Sequence, residues 1–408
     1  MREQAAILLA SFAISRRARE NFGYAFPRLQ ELLEDKALEV REAAAKVFMR
    51  LSINDDGCQR VVESESASAM VRSFIGHSKD EQHLAREDGQ YLVHLLEAFA
   101  NLTFIDYGIA PLLGSGAVPN FGRLISEAYV GRVLLPQHKQ KIQELSLRVL
   151  GNVSINHEGK QECIDHAVLL HAWRYLESAV YAERLNASLV LMACTVHLTG
   201  KQQAIRFQEP KGQPKIVQTM IVRLREGGFP DLRKNLKATL INIAELPEGF
   251  LLVAHELSAE TELLDEVFGP RAVKALHSLL PALGEHADPL RVDAELVSGK
   301  CARYLKSLAH IFKKYKEDAA QVAIDETINF SEKLAPFLSP ETQLQSEAVL
   351  CLREVCALDQ YNCHVLRGFL ERFGDGVIRW AYGVTTLNKE LAQFPDLVNL
   401  ARSAQIFR

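Results

Sequence analysis

Five times along this chain the same fifteen-residue pattern recurs, each time closing on a glycine. The copies read AAAKVFMRLSINDDG (43–57), HLLEAFANLTFIDYG (94–108), LSLRVLGNVSINHEG (145–159), NASLVLMACTVHLTG (186–200) and NLKATLINIAELPEG (235–249). Seven places before the glycine stand Arg50, Asn101, Asn152, Ala193 and Asn242, at successive offsets of 51, 51, 41 and 49 residues. Behind them, small and aliphatic residues recur at helical spacing. A period of this size marks a chain built from stacked supersecondary units, and it constrains the fold more than any composition value does.

Three weaker copies lack the glycine: AILLASFAISRRA near the start, ARYLKSLAHIFKKYK from Ala302 and SEAVLCLREVCALDQ from Ser346. That makes about eight copies. After each frame come a short amphipathic piece and a second apolar helix, as at 159–165 and 168–176, so the unit is three helices in about 40 residues. One unit cannot cover its own wide apolar stripe, and stacking unit on unit closes it. The expectation is an all-α solenoid running over 1–408 as a single array, with the best-defined repeats over 39–250, an irregular connector over 251–298 and divergent repeats over 299–408. The glycine is expected where the long helix ends and the chain reverses, in a left-handed conformation.

Composition agrees and excludes alternatives. The 408 residues alone would suggest two or three domains, a number the repeat replaces with one array. Only 23 glycines and 14 prolines favour long helices over a turn-dense sandwich. A net charge of −4, from 47 basic against 51 acidic residues, supplies no field to steer the chain onto nucleic acid or an anionic membrane. Seven cysteines, an odd number without a C-x-x-C pair, point to a reducing, cytoplasmic setting. The apolar start AAILLASFAI (5–14) is followed by Arg16, Arg17 and Arg19, the reverse of a signal sequence, and no stretch approaches a bilayer span.

Motifs for chemistry are missing. The pieces GSGAVPNFG (114–122) and REGGFPD follow no strand and read as turns, not phosphate cradles. Cys351, Cys356, Cys363 and His364 match no zinc template. No enzyme activity, cofactor or metal is expected. Longer offsets place insertions at 78–90, 127–140 and 250–298, read either as contact-bearing loops or extra turns or as plain connectors.

Functional content lies in the ladder. On the third helices the frame residue and those four and seven before it share one face. The first row is Arg50, Asn101, Asn152, Ala193, Asn242, His310 and Glu354; the second is Lys46, Glu97, Arg148, Leu189, Ala238, Lys306 and Leu350; the third includes His94, Asn186, Asn235 and Arg303. Asparagine amides one repeat apart can hold the backbone of an extended peptide, or they can bond neighbouring helix ends and stabilise the stack. The candidate protein-binding residues are Arg50, Asn101, Asn152, Asn242, Lys46, Glu97, Arg148, Asn186, Asn235, Arg303, Lys306 and His310. The basic helix over 300–316 suits an acidic partner surface or an ordinary exposed face.

The pattern A-x-x-[VLA]-L-x-N-[VIL] followed by x5-G resembles the armadillo repeat, whose third helix lines the concave face of a right-handed superhelix. Within 142–249, about a quarter of the chain, LRVLGNVSINHEGKQEC, ERLNASLVLMACTVHLTGKQQAI and NLKATLINIAELPEGF resemble, in order and spacing, repeats of the radial spoke head protein 14 homologs. These are armadillo proteins of the axonemal radial spoke in motile cilia and flagella. The resemblance implies a non-enzymatic cytoskeletal scaffold in a large complex, clamping other spoke subunits through its concave face and insertions. The alternative is a soluble armadillo adaptor or chaperone-like protein that binds peptides or clients reversibly. Importin-type armadillos place a tryptophan four residues before each ladder asparagine; Glu97, Arg148 and Ala238 stand there, so nuclear-signal binding is not expected. The chain opens almost inside a third helix, which implies further helices upstream or a partner over 1–26.

Overall fold

A computed structural model describes residues 2–13, 15, 22–78, 89–126, 136–207, 216–257, 261–269 and 305–315 except 307, together with 333, 334, 337, 348 and 351. The chain divides into two compact units, Met1–Asn242 and Ile243–Arg408. The fold is an all-α solenoid, and no strand occurs among the described residues.

In the first unit the long helices are α1 (Arg2–Phe12), α3 (Leu38–Leu51), α6 (Gly89–Leu102), α9 (Pro136–Ile155), α12 (Tyr181–Cys194) and α15 (Pro230–Ile243). Between them run α2 (Phe26–Leu33), α4 (Asp55–Glu63), α5 (Ser66–Ser78), α7 (Asp106–Ile109), α8 (Ala117–Leu124), α10 (His157–Asp165), α11 (Leu169–Ala172), α13 (Leu198–Arg206) and α14 (Ile216–Arg225). Short 3-10 turns continue α7 and α11. The expected order of short helix, second helix and long helix thus repeats through the unit.

Sequence pattern dictates which faces are buried. In α3, Val40, Ala43, Ala44, Val47, Phe48 and Leu51 are buried, an i, i+3, i+4, i+7 stripe wide enough for a neighbour on either side. Helix α6 is buried almost all round, from Tyr91 to Ala100 with Glu97 alone half-exposed, as befits a helix with copies stacked before and after it. Successive long helices pack in sequence order, α1 on α3, α3 on α6, α6 on α9 and α9 on α12. Phe74 of α5, Phe99 of α6 and Phe121 of α8 form one aromatic cluster with centroids 4.6 to 5.8 Å apart.

The repeat glycines have a different role from the one expected. The long helices end six or fewer residues before them, and Gly57, Gly108, Gly159 and Gly200 lie inside the next short helix. None has a positive φ. A Cβ added at any of the four would lie under 3.0 Å from a backbone carbonyl oxygen six residues earlier, that of Leu51, Leu102, Val153 and Cys194 in turn. Glycine is required because two helices meet at a sharp corner and their backbones touch, not because the chain turns left-handed. Asn54 and Asn156 set that corner by capping α4 and α10, accepting hydrogen bonds from the amides of Gly57 at 2.9 Å and Gly159 at 3.3 Å.

The second unit includes α16 (Pro247–Leu257) and α17 (Thr261–Phe268). Within 251–298, expected as an irregular connector, 251–257 and 261–268 are helical and bury Val253, Leu257, Leu264 and Phe268, while 258–260 and 270–298 lie outside the described residues. Residues 308–314 are also helical, with Leu308, Ile311 and Phe312 buried. Of the proposed insertions, 79–88 and 127–135 lie outside the described residues, while 136–140 form the opening turns of the 20-residue α9. Among the described residues, no helix is long and apolar enough to cross a membrane.

Candidate protein-binding face

Each long helix ends with carbonyls that have no partner within the helix. In this fold the next copy supplies the donors. Asn152 Nδ2 donates to Thr103 Oγ1 at 3.1 Å and to the carbonyl of Ala100 at 3.5 Å, both at the end of α6. Asn242 Nδ2 donates to Thr195 Oγ1 and to the Met192 carbonyl, each at 3.3 Å, at the end of α12. Asn101 Nδ2 reaches Ser52 Oγ at 3.5 Å, and Arg50 Nη1 donates to the Ala10 carbonyl at 2.6 Å. The hydroxyls pass the bond on within their own helices, Thr103 to Phe99 O and Thr195 to Leu191 O at 2.8 Å, and Ser52 to Met49 O at 3.0 Å. Each asparagine contact is a relay from the amide through a hydroxyl to a helix end, whereas Arg50 reaches its carbonyl directly.

The first row therefore clasps copy to copy, and of the two uses open to these asparagines their amide hydrogens serve the helix ends. Among the described residues, Oδ1 of Asn101, Asn152 and Asn242 accepts no hydrogen bond, and all three side chains are half-buried. The same row thus stitches the stack and carries a line of carbonyl acceptors. Where the frame residue is Ala193 the clasp is missing, and Ser154 Oγ turns back to Gly151 O at 2.8 Å. Replacing Asn152 with Ala is expected to lower unfolding free energy by about 1 kcal/mol in urea melts, because buried Thr103 loses its donor. The same substitution in a Thr103→Val background should cost less than in the wild type, the sign of that shared bond; equal, fully additive losses would disprove it.

Other predicted residues spread differently. Lys46, Glu97, Arg148 and Asn186 are half-buried on α3, α6, α9 and α12, while Asn235 is buried and donates to Ser188 Oγ at 3.1 Å. Asn186 sits against Gly151, whose missing side chain leaves it room. In the second unit Lys306 is exposed and His310 half-buried; Arg303 and Glu354 lie outside the described residues. Lys46 and Arg50 converge electrostatically on His94 of α6, which is 7% exposed, with its Nε2 3.9 Å from Glu42 Oε1. Burial, then the charges of Lys46 and Arg50, push its pKa down to about 4.

Two features escaped the sequence reading. A hydroxyl stands two places after the frame residue in four consecutive copies (Ser52, Thr103, Ser154, Thr195), a readable signal for the clasp acceptor. A cleft of about 550 Å³ on α15 is lined by Arg233, Lys234, Lys237, Ala238 and Ile241. It places three cations beside second-row Ala238.

No protein-family model and no curated protein matches this sequence. Solved structures do resemble the fold. A computationally designed armadillo repeat protein for modular peptide recognition is 18% identical, covers 59% of this chain and 92% of its own, with a TM-score of 0.46. A designed armadillo repeat protein in complex with the peptide (KR)4 is 17% identical over 59% of this chain and 92% of its own, with a TM-score of 0.43. An engineered protein is 16% identical over 99% of this chain and 93% of its own, again with a TM-score of 0.43.

Proposed function

We propose that this armadillo-like solenoid is a non-enzymatic scaffold that binds other proteins along the face of its long helices, and that its setting is the radial spoke of the ciliary or flagellar axoneme. The observation that carries the scaffold reading is the clasp. Frame residues Arg50, Asn101, Asn152 and Asn242 are each bonded to the helix end of the copy before, so the array resists bending at those joints and holds docked segments at fixed angles. The unused Oδ1 atoms of Asn101, Asn152 and Asn242, with Lys46, Glu97, Arg148 and Asn186 beside them, offer both acceptors and charges to a bound chain. Arg50 and Asn235 serve mainly to brace that face; Lys306 and His310 of the second unit, and Arg303 outside the described residues, are separate candidates for partner contact. The axonemal setting rests on the repeat sequence of 142–249.

Salt extraction tests the setting. A tagged copy expressed in ciliated cells is expected to stay with demembranated axonemes through a moderate-salt wash and to leave with other spoke proteins only under harsher conditions. Release of nearly all of it in the first wash would favour a soluble adaptor and reject the spoke. A pull-down from the same cells names the bound subunits.

A further inference from the structure

At four consecutive corners between a long helix and the next short helix stands one large apolar side chain that is mostly exposed. Ile53, Phe104, Ile155 and Val196 occupy the same position in four consecutive copies, three residues after the frame residue. They are 63, 77, 62 and 53% exposed. Isolated exposed apolar residues are ordinary, but four at one position of a periodic array form a row. Nor are they loosely placed. Each follows a hydroxyl residue that is at most 2% exposed (Ser52, Thr103, Ser154, Thr195), and Ile53 and Ile155 precede the capping residues Asn54 and Asn156. Tyr107, 41% exposed with its hydroxyl 3.4 Å from Asp55 O, and Leu198, 57% exposed, widen the row. At the equivalent place in the following copy stands Glu245, which ends it.

Spacing selects the secondary structure of what would cover this row. Packed helices lie about 8–10 Å apart, and the long helices bearing these corners pack on one another in order. On a β-strand, residues of one face recur about every 6.6 or 13.2 Å, so a strand fits none of its side chains to successive corners. On an α-helix, residues seven apart share a face and are separated by about 10.5 Å. Charge selects the flanks. Three of the four following short helices carry exposed acids in their first turn, Asp55 and Asp56, then Asp106, then Glu158, and the fourth, α13, carries none.

We infer that this edge of the first unit is a docking strip for an amphipathic helix of a partner protein, one with an apolar residue at every seventh position and lysine or arginine beside it. The inference stands apart from the long-helix face and from the axonemal reading. Four anchors need a helix of about 22 residues. Aromatic and aliphatic anchors of this kind carry most of the affinity in such grooves, and the acids add orientation and salt dependence.

The probe is a fluorescein-labelled synthetic helix of about that length, with leucine at every seventh position and lysine flanks, titrated with the full chain in fluorescence anisotropy. The lysine-flanked peptide is expected to bind, to weaken with added salt, and to bind at least about tenfold more tightly than its glutamate-flanked twin. The variant carrying Ile53→Ser, Phe104→Ser, Ile155→Ser and Val196→Ser together is expected to keep its melting temperature and lose at least about tenfold in affinity; Phe104→Ser alone should lose several-fold. Changing Lys46 and Arg148 to Ala on the long-helix face should leave this binding unaltered. Absence of binding, equal binding by the two peptides, or equal binding by the quadruple variant overturns the inference. So does a loss of melting temperature in the quadruple variant, which would make the row structural. A dimer in light scattering that the quadruple variant dissolves would assign the strip to a second copy instead.

Discussion

Substituting Ala for Gly57, Gly108 or Gly200 is expected to destabilise the first unit by about 3 kcal/mol or more at each site, measured by urea or thermal melting followed by circular dichroism. In each case the new Cβ would sit under 3.0 Å from a carbonyl oxygen of the preceding long helix, and that neighbour is backbone, held in a helix that itself packs on a neighbouring copy. A flexible side chain would rotate away; a helix end cannot without disturbing the stack. Gly159 behaves alike, and Gly159→Val adds a β-branch against Val153. The internal control is Gly76→Ala in α5, where a Cβ meets nothing within 4 Å. There the helix gains conformational preference, and a rise of about 0.5–1 kcal/mol is expected. If the corner glycines tolerate Ala as Gly76 does, the helix-corner account is wrong.

The second large effect is on the acid side of the stability profile and belongs to His94. Its ordinary pKa of 6.5 in the unfolded chain falls to about 4 in the folded one, through burial and through Lys46 and Arg50. Glu42, 3.9 Å away, and Gln90, 3.2 Å away, do not offset those causes. Between the two values the unfolded chain binds the proton and the folded chain does not, so stability rises with pH across that window and levels off above about pH 7. Going down from there, folding should lose on the order of 3 kcal/mol by the time pH 4 is reached, with carboxylate titrations superimposed. The His94→Gln variant removes the proton site. The difference in unfolding free energy between wild type and variant should shift in the variant's favour from pH 7 to pH 4.5; a difference independent of pH would show that His94 is not held neutral.

How much of this was legible beforehand differs from residue to residue. The helices of 43–51, 94–102 and 186–194 were readable because burial on a helix leaves an i, i+3, i+4, i+7 trace, and that trace is local. The stack followed from it, since Val40, Ala44, Val47 and Leu51 cover more of α3 than one neighbour can use. The frame residues Asn101, Asn152 and Asn242 were legible as a row but not as clasps. Their position on the helix was in the pattern, whereas their acceptors, Ser52, Thr103 and Thr195, lie 47 to 49 residues earlier. The glycine was found and given the wrong cause, because a left-handed turn and a close approach of two backbones both select glycine and leave the same letter. The helices at 251–257 and 261–268, inside the stretch expected as a connector over 251–298, were not legible because beyond Gly249 neither α16 nor α17 carries a frame residue of the repeat.

What the sequence by itself determined, then, is the period, the long helices, and the necessity of stacking them; these follow from spacing along one chain segment at a time. Tertiary structure alone decided which partner each polar group has: the amide of Asn152 on the end of α6, the carbonyl of Leu51 against Gly57, Lys46 and Arg50 around a neutral His94. It also decided which apolar residues are left without cover, separating Ile53 and Phe104 from Leu51 and Leu102, which look no different in sequence. Periodicity sets the face on which a residue lies, but energy depends on what stands within a few ångströms of that face, and for the clasps and for His94 that is a part of the chain about one repeat away.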